Sequence, residues 1–267
     1  IISLSSKCGS SLAANTFCVI SNDTSNTSKF ITTYGFSPDD FAGEGEGVDS
    51  NGDDNIAIAT VASGVTYSPS VSSTYTVIDM FGVPGTDGTN QDHEFEDGRA
   101  ERKASSTIPS ATWSFGSWNV DNDGGDGDGA QNAPEGFDPG YWIGATNVNT
   151  WTGRTNTSWA TDSNWSSGAA PADGDKVFVH DANNDPDIST DITLTDLTVK
   201  TSGVLDIGAS GSLTLSGNYS NSGEVNLNSS SSAYSSLIIQ GTSSGNITYK
   251  RWVADEGETG WDLIGSP

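Results

Sequence analysis

Basic residues are scarce in this chain, which has 10 Lys and Arg and 2 His against 35 Asp and Glu. The formal charge of −25 repels phosphate backbones and argues against direct binding of nucleic acid. Long apolar runs are also missing, and no stretch approaches the ~18–20 residues that a membrane-spanning helix needs. Because His93 and His180 lie far apart in the sequence, a histidine-based zinc site would need distant convergence, and we expect no catalytic metal.

Helix-forming composition is lacking too. The chain has one Met, its hydrophobic content is 33%, and glycine, serine, threonine and asparagine dominate. Turn formers mixed with β-branched and aromatic residues predict an all-β protein of short strands. Low hydrophobicity with high charge also fits a disordered chain. The 8 Trp, 7 Tyr and 9 Phe lie near alternating apolar runs, which favours a folded protein.

Cysteine is limited to Cys8 and Cys18, ten residues apart. A disulfide across paired strands in an oxidising compartment and two reduced, half-buried thiols both fit this spacing. The sequence begins without Met inside a predicted strand and stops abruptly at Ile264-Gly265-Ser266-Pro267. We therefore expect a fragment of a longer protein, in which the lack of a signal peptide carries little information.

The first residues of the chain predict a hairpin followed by a short helical turn. Residues 1–22 contain two apolar stretches around a small polar connection, the pattern of two paired strands. Residues 37–41 predict the helical turn, because Ser37 suits the N-cap and Pro38 the first helical position.

Three further stretches predict strands in the first half of the chain. Residues 55–59 and 75–81 are rich in β-branched and aromatic residues, and residues 113–120 fit one or two strands. The acidic residues 49–54 contain Asn51-Gly52, which favours a type I′ turn between two strands over a metal site.

These stretches resemble the lamin-tail-like domain of secreted proteins of the Bacteroidetes. The matching pieces are residues 9–22, 51–58, 77–82, 98–103 and 113–120, and the Asn-Gly-Asp-Asp-Asn-Ile-Ala-Ile piece is the most specific of them. The resemblance implies an immunoglobulin-like β-sandwich over residues 1–146. It also implies N-terminal truncation, since these domains usually open with an earlier segment.

The second half carries an internal period of about 20 residues. Val179, Val199, Tyr219 and Ile239 follow one another at this interval, and Ser202-Gly203 recurs as Ser222-Gly223. A repeat of this length with alternating strands predicts a β-solenoid resembling a parallel β-helix over residues 147–267, where each coil buries its face against the next. A sandwich of hairpins is the rival arrangement.

A tryptophan-rich segment precedes the repeat. Its tryptophans fit a cap over the first coil or, as an alternative, a carbohydrate-stacking platform. The series W-x-G…W…N-W…P…D-x-V resembles the opening of repetitive surface proteins that flavobacteria export by the type IX route. The four tryptophans concerned are Trp142, Trp151, Trp159 and Trp165.

The strongest polar cluster lies in residues 121–129, where carboxylates alternate with glycine. Oxygen ligands spaced by glycine can wrap a hard cation, so calcium is the cofactor that this stretch favours, with a solvated acidic loop as the alternative. The order of an EF-hand is missing. The candidate calcium ligands are Asp121, Asp123, Asp126 and Asp128.

The sequence gives no support for a catalytic site. There is no G-x-S-x-G elbow, and the spacing of a hydrolytic carboxylate pair is not visible in a sequence. The basic patch of Arg99, Arg102 and Lys103 lies on a predicted strand, where charge balance against residues 94–97 is favoured over ligand recognition.

Taken together, the sequence predicts a non-catalytic extracellular or cell-surface module with a structural or adhesive role. Its partner is a carbohydrate, the extracellular matrix or a surface protein, without nucleic acid and without membrane insertion. Two alternatives remain: an accessory domain of a secreted hydrolase such as a nuclease or polysaccharide-degrading enzyme, and a carbohydrate-binding module.

Overall fold

A computed structural model describes residues 3–8, 17–23, 29–42, 48, 50–65, 72–96, 98–122, 139–142, 144 and 147–254. Across these residues the chain is all-β with few helices. The helices are α1 Leu4–Lys7 and α2 Lys29–Tyr34, with 3-10 turns at Ser72–Thr74, Phe115–Ser117 and Asp162–Asn164. The strands are β1 Ile20–Ser21, β2 Asp40–Phe41, β3 Ile56–Val61, β4 Tyr75–Phe81, β5 Arg99–Arg102, β6 Trp118–Asp121, β7 Val148–Trp151, β8 Lys176–Val179, β9 Asp187–Ile188, β10 Asp191–Leu194, β11 Asp196–Val199, β12 Val204–Ile207, β13 Ser212–Leu215, β14 Tyr219–Asn221, β15 Glu224–Asn228, β16 Ser236–Ile239, β17 Ser243–Ser244 and β18 Thr248–Lys250.

The chain divides into two compact units. The first comprises Ala42–Thr146, and the second comprises Ser3–Phe41 together with Asn147–Pro267. This division differs from the boundary drawn from the sequence, which assigned all of residues 1–146 to one domain. The early segment, Ser3–Phe41, groups with the second unit through contacts with it. Phe17 packs against Phe178, Phe36 packs against His180, and Asp39 binds Lys200.

The first unit contains two antiparallel strand pairs among its described residues. β3 pairs with β4, and β5 pairs with β6, as two separate sheets. The predicted strands at residues 55–59 and 75–81 are confirmed. Of residues 113–120, the last three lie in β6, and Phe115–Ser117 form a 3-10 turn. Phe81 packs edge-on against Phe95 and Trp118. The immunoglobulin-like sandwich itself stays a prediction.

The second unit is a β-solenoid. Its strands form three parallel sheets, and from β8 onwards successive strands join the three sheets in turn. The first sheet has the order β7-β8-β11-β14-β17, the second β9-β12-β15-β18, and the third β10-β13-β16. All pairs in these sheets are parallel, so the predicted solenoid is confirmed and the rival sandwich of hairpins is wrong.

The register follows the predicted 20-residue step in only part of the solenoid. Val199 lies opposite Val179, and Leu205 lies opposite Val225, as the repeat predicts. Tyr219 lies opposite Leu197 instead, and Ile239 lies opposite Leu215 in a different sheet. The single ladder from Val179 to Ile239 is therefore wrong, because the length of the coil changes along the solenoid.

Alternation of apolar residues builds the solenoid core. In β12 the side chains of Leu205 and Ile207 are fully buried while their neighbours are half-exposed, and β13 repeats this pattern with Leu213 and Leu215. A strand turns successive side chains to opposite faces, so every second residue enters the interior of the coil. Each buried leucine or isoleucine stabilises the fold by roughly 1.5–3 kcal/mol.

One corner of the coil requires glycine. A Cβ atom on Gly223 would lie 2.2 Å from the carbonyl oxygen of Gly203 and 2.5 Å from that of Lys200. Both neighbours are backbone atoms of the preceding coil, so no side-chain rearrangement could make room. The recurrence of Ser-Gly at this corner, visible in the sequence, therefore reflects close approach of stacked backbones.

Three tryptophans close the start of the solenoid. The Trp151 ring packs edge-on against Trp165 with centroids 5.0 Å apart, and Trp159 packs against Trp165 at 4.6 Å. All three are buried and belong to the apolar core of the solenoid, where β7 pairs with β8. Their burial fits the predicted cap and leaves these three rings almost no exposed surface on which a sugar could stack. Trp142 belongs to the first unit, where its indole Nε1 donates to the Arg102 carbonyl oxygen.

The early segment lies across the solenoid and is held by a disulfide between Cys8 and Cys18. Their Cα atoms are 5.6 Å apart, within the usual range for such a bond. The predicted hairpin is wrong, because Leu4–Lys7 is helical and β1 pairs in parallel with β2. The predicted helical turn at residues 37–41 is also wrong, since the helix lies at Lys29–Tyr34 and residues 40–41 are a strand.

None of the helices in the described part of the chain is long and apolar enough to cross a membrane.

Candidate functional site: a polar groove on the solenoid

A groove of about 600 Å³ crosses the outer face of the second sheet. Successive coils supply its floor: Asp187 from β9, Asp206 from β12, Asn228 from β15 and Lys250 from β18. In the ladder Asp206 lies opposite Asp187, and Asn228 lies opposite Lys250. The remaining lining residues are Thr157, Asn183, Asn184 and Asp185.

Strand alternation places these side chains outside. Asp206 lies between Leu205 and Ile207, both of which are fully buried, so its own side chain points to the opposite face of the sheet. The amide Nδ2 of Asn228 donates to Asp206 Oδ1 at 3.3 Å and links two coils across the groove floor. The same apolar pattern that builds the core therefore creates a row of polar groups outside it.

The rim of the groove is fixed to the tryptophan cap. The indole Nε1 of Trp151 donates to the Asn184 carbonyl oxygen at 2.7 Å, and the Asn184 side-chain amide donates to the Gly153 carbonyl oxygen at 2.6 Å. Because Trp151 is fully buried, this loop is anchored to the rigid part of the unit. A site whose groups are held before a ligand arrives loses less entropy on binding.

The carboxylates in the groove are crowded. Burial raises the pKa of Asp185 above its ordinary value, and the nearby charges of Asp181, Asp206 and Glu224 raise it further. Burial, followed by the charge of Asp206, also raises the pKa of Asp187. Lys250 provides positive charge at one end, where its Nζ lies 3.9 Å from Glu224.

This arrangement suits hydrogen bonding to a hydroxyl-rich ligand. Carboxylates accept hydrogen bonds, amide groups both donate and accept them, and Lys250 donates. Within the described residues no group of three or more His, Cys, Asp or Glu side chains is arranged to hold a metal ion. The groove is therefore a candidate binding surface for a neutral or cationic polar ligand.

A smaller pocket of about 260 Å³ lies in the first unit beside Arg102. The Arg102 guanidinium pairs with the Asp79 carboxylate and lies 4.6 Å from the centre of the Trp118 ring. The partner predicted from the sequence, the acidic residues 94–97, is wrong for Arg102. The hydroxyl groups of Ser105, Thr107 and neighbouring residues line the rest of the pocket.

The predicted calcium ligands fall mainly outside the described residues. Asp121 ends β6, where its partner in the ladder is Arg99. Asp123, Asp126 and Asp128 lie in the part of the chain that the structure does not describe. Calcium binding at this stretch stays a prediction.

Of the acidic stretch at residues 49–54, the structure describes residues 50–54, and Gly52 packs there against residues 95–96 of the same unit. Gly52 has a φ of +99°, and a Cβ there would lie 2.3 Å from the Glu96 Cα atom. Its carbonyl oxygen accepts a hydrogen bond from the Phe95 amide at 2.7 Å. A type I′ turn needs a positive φ at both central residues, and Asn51 is not among the described residues that have one. The predicted type I′ turn is therefore wrong, although the glycine is required.

The two histidines are both buried and lie in different units. His93 is 1% exposed and packs edge-on against Trp113 in the first unit. His180 is 2% exposed and packs against Phe36 of the early segment, with ring centroids 5.0 Å apart. Each is a packing residue in the core.

The groove was not predicted from the sequence, although the sequence contains a pattern of polar residues that indicates it. Its floor residues form two in-register pairs on neighbouring coils, Asp187 with Asp206 and Asn228 with Lys250. The period was sought in apolar residues alone. A search for polar residues at the outward positions of the same repeat would have indicated this surface.

Comparison with known proteins adds one match. The family model described as a domain of unknown function (DUF8693) matches residues 150–267, which covers the tryptophan cap and the solenoid. No curated protein and no solved structure matches the chain.

Proposed function

We propose that this chain is a non-catalytic structural and adhesion module of a large secreted or cell-surface protein. The observation that carries the proposal is the capped, three-sheet solenoid, a rigid scaffold with polar side chains in rows on its outside. Solenoids offer extended surfaces suited to large ligands. The Cys8–Cys18 disulfide supports an oxidising, extracellular location, because such bonds are rare in reducing compartments.

We propose that the first unit is a lamin-tail-like β-sandwich and that the protein comes from a member of the Bacteroidetes with type IX export. The confirmed strands β3, β4, β5 and β6 support the assignment, since each coincides with a piece of the resemblance. In this arrangement the sandwich acts as a spacer or second contact domain. The alternative role is that of an accessory domain in a secreted hydrolase whose catalytic part is a separate domain.

The test is a solid-phase assay with the purified chain immobilised on beads. Cellulose, chitin, xylan, collagen and fibronectin are presented in turn, and retention of the beads and release of soluble product are both measured. We expect retention on at least one of these materials, with no product released above a bead-only control. Product release by the purified chain would contradict the non-catalytic assignment, whatever the retention.

A carbohydrate-binding role is the second candidate, and the polar groove is the observation that favours it. On a glycan array we expect binding that falls at least tenfold in Asp206→Ala or Asn228→Ala, because each removes a group from the groove floor. Asp191→Ala is the matched control: Asp191 is exposed on the third sheet, outside the groove, and its loss should leave binding unchanged. Equal losses in all three variants would show that general acidity, and not the groove, binds the glycan.

A further inference from the structure

β3 is an exposed strand with an unused edge. All six of its residues are exposed, and Ile56 and Ile58 keep 46% and 47% of their side-chain surface in solvent. In the described part of the chain its pairing partner is β4 alone. An edge strand presents a row of unpaired backbone groups that can pair with another strand.

The usual protection against such pairing is missing from β3. Its sequence, Ile-Ala-Ile-Ala-Thr-Val, contains no charged residue and no proline. The irregularity of this sheet lies on β4, where Ile78 is the extra residue between the pairs Ile58–Asp79 and Ala59–Val77. The edge of β3 is therefore regular and uncharged, which is the form of edge that pairs most readily.

The one charged residue of β4, the strand beside β3, is neutralised. Asp79, the residue opposite Ile58, forms an ion pair with Arg102 and also accepts a hydrogen bond from the Ser110 amide at 3.0 Å. The acidic residues nearest along the chain are Asp53 and Asp54, before the start of the strand. Repulsion between two such edges therefore comes from Asp53, Asp54 and the overall charge of −25.

We infer that β3 pairs antiparallel with β3 of a second copy of this chain, across a two-fold axis perpendicular to the sheet. Such an axis brings the faces that carry Ile56 and Ile58 in the two copies to the same side, so their exposed side chains cover one another. A register centred on Ile58 or Ala59 places Asp54 opposite Ala62 or Gly64, so no carboxylate faces another. A parallel pairing in register would set Asp54 against Asp54.

The net charge of the chain and the short length of β3 together determine the strength of this contact. Pairing of six-residue strands buries less than the ~1,200–2,000 Å² of a stable interface, so the dimer is weak. Two copies with a charge of −25 repel each other, and salt screens that repulsion over a Debye length of ~8 Å at physiological ionic strength. Association should therefore increase with salt. The two-fold pairing uses the β3 edge of both copies, so this contact closes as a dimer.

The first test is thiol cross-linking of the intact chain. Cys8 and Cys18 are joined to each other, so an introduced cysteine is the one free thiol. With copper phenanthroline and oxygen as oxidant, Ile58→Cys or Ala59→Cys, according to the register, should form a covalent dimer at least tenfold faster than Ile78→Cys. Ile78 is the matched control, because it is an exposed isoleucine of the same sheet on β4. Equal rates in all three variants would overturn the proposal.

The second test is analytical ultracentrifugation of the unmodified chain over a range of concentration and of sodium chloride. We expect the average mass to rise from monomer towards dimer with both variables, and Ile58→Lys to remove the rise while Ile78→Lys keeps it. A monomer at every salt concentration, or growth beyond the dimer, would contradict the closed two-fold pairing. Far-UV circular dichroism of each variant confirms that the fold is retained.

Discussion

Replacing Trp151 by alanine should destabilise the solenoid unit by about 3–5 kcal/mol, the range found when large buried aromatic side chains are truncated. Trp151 is fully buried and packs against both Trp159 and Trp165. Its indole also donates the hydrogen bond that anchors Asn184 at 2.7 Å. The variant loses apolar contacts, leaves a cavity at the first coil and frees the rim of the groove.

Thermal unfolding followed by near-ultraviolet circular dichroism measures this loss. A destabilisation of this size should lower the transition of the unit by roughly 10 °C or more. Trp252→Ala is the matched control, because its side chain is 47% exposed and its substitution should change the stability by less than about 0.5 kcal/mol. Similar transitions for the two variants would show that the tryptophan cluster does not stabilise the start of the solenoid.

Parallel stacking could be predicted from the sequence because it depends on a local pattern. The alternation in β12 and the Ser-Gly corner at Gly223 both recur with a near-constant spacing, and each has one physical cause. The exact register could not be predicted, because extra residues enter the loops between strands. Residues 229–235 connect β15 with β16, where Ser229 and Tyr234 form a bridge of their own, and such a loop lengthens one coil without changing its strands.

The position of the early segment could not be predicted from the sequence. Lys200 Nζ binds Asp39 Oδ1 at 2.9 Å and also donates to the Phe17 carbonyl oxygen at 3.2 Å. With 35 acidic residues in the chain, no pattern singles out Asp39 as the partner of a lysine 161 residues away. The rim of the groove shares this property, since Thr157 and residues 183–185 lie in loops outside the repeating strands.

Lowering the pH should weaken the contact between the early segment and the solenoid, because His180 is buried there as the neutral imidazole. Burial lowers the pKa of His180 to about 4 from its ordinary 6.5; the charge of Asp39 opposes this shift and that of Lys200 adds to it. Phe36 covers the ring, and the side-chain Nε2 has no hydrogen-bond partner. Between these two pKa values the unfolded chain binds a proton that the folded chain does not.

The stability from this group is therefore complete above pH 6.5 and is lost progressively as the pH falls to about 4. A shift of this size corresponds to about 3 kcal/mol. Denaturant unfolding of the native chain and of His180→Gln at pH 7.5, 6, 5 and 4 measures it. Carboxylates such as Asp185 and Asp187, whose raised pKa acts in the opposite direction, are present in both proteins and cancel in the difference.

We expect the advantage of the native chain over His180→Gln to shrink by about 3 kcal/mol between pH 7.5 and pH 4. Hydrogen exchange should place the change at the contacts of the early segment, where the Ser37 amide donates to the Asp181 carbonyl oxygen and the Asn183 amide donates to that of Gly35. Protection of these amides should fall before that of β12, because the strands in the middle of the solenoid do not depend on His180. A constant difference between the two proteins across this pH range would mean that His180 is protonated equally in the folded and unfolded chains.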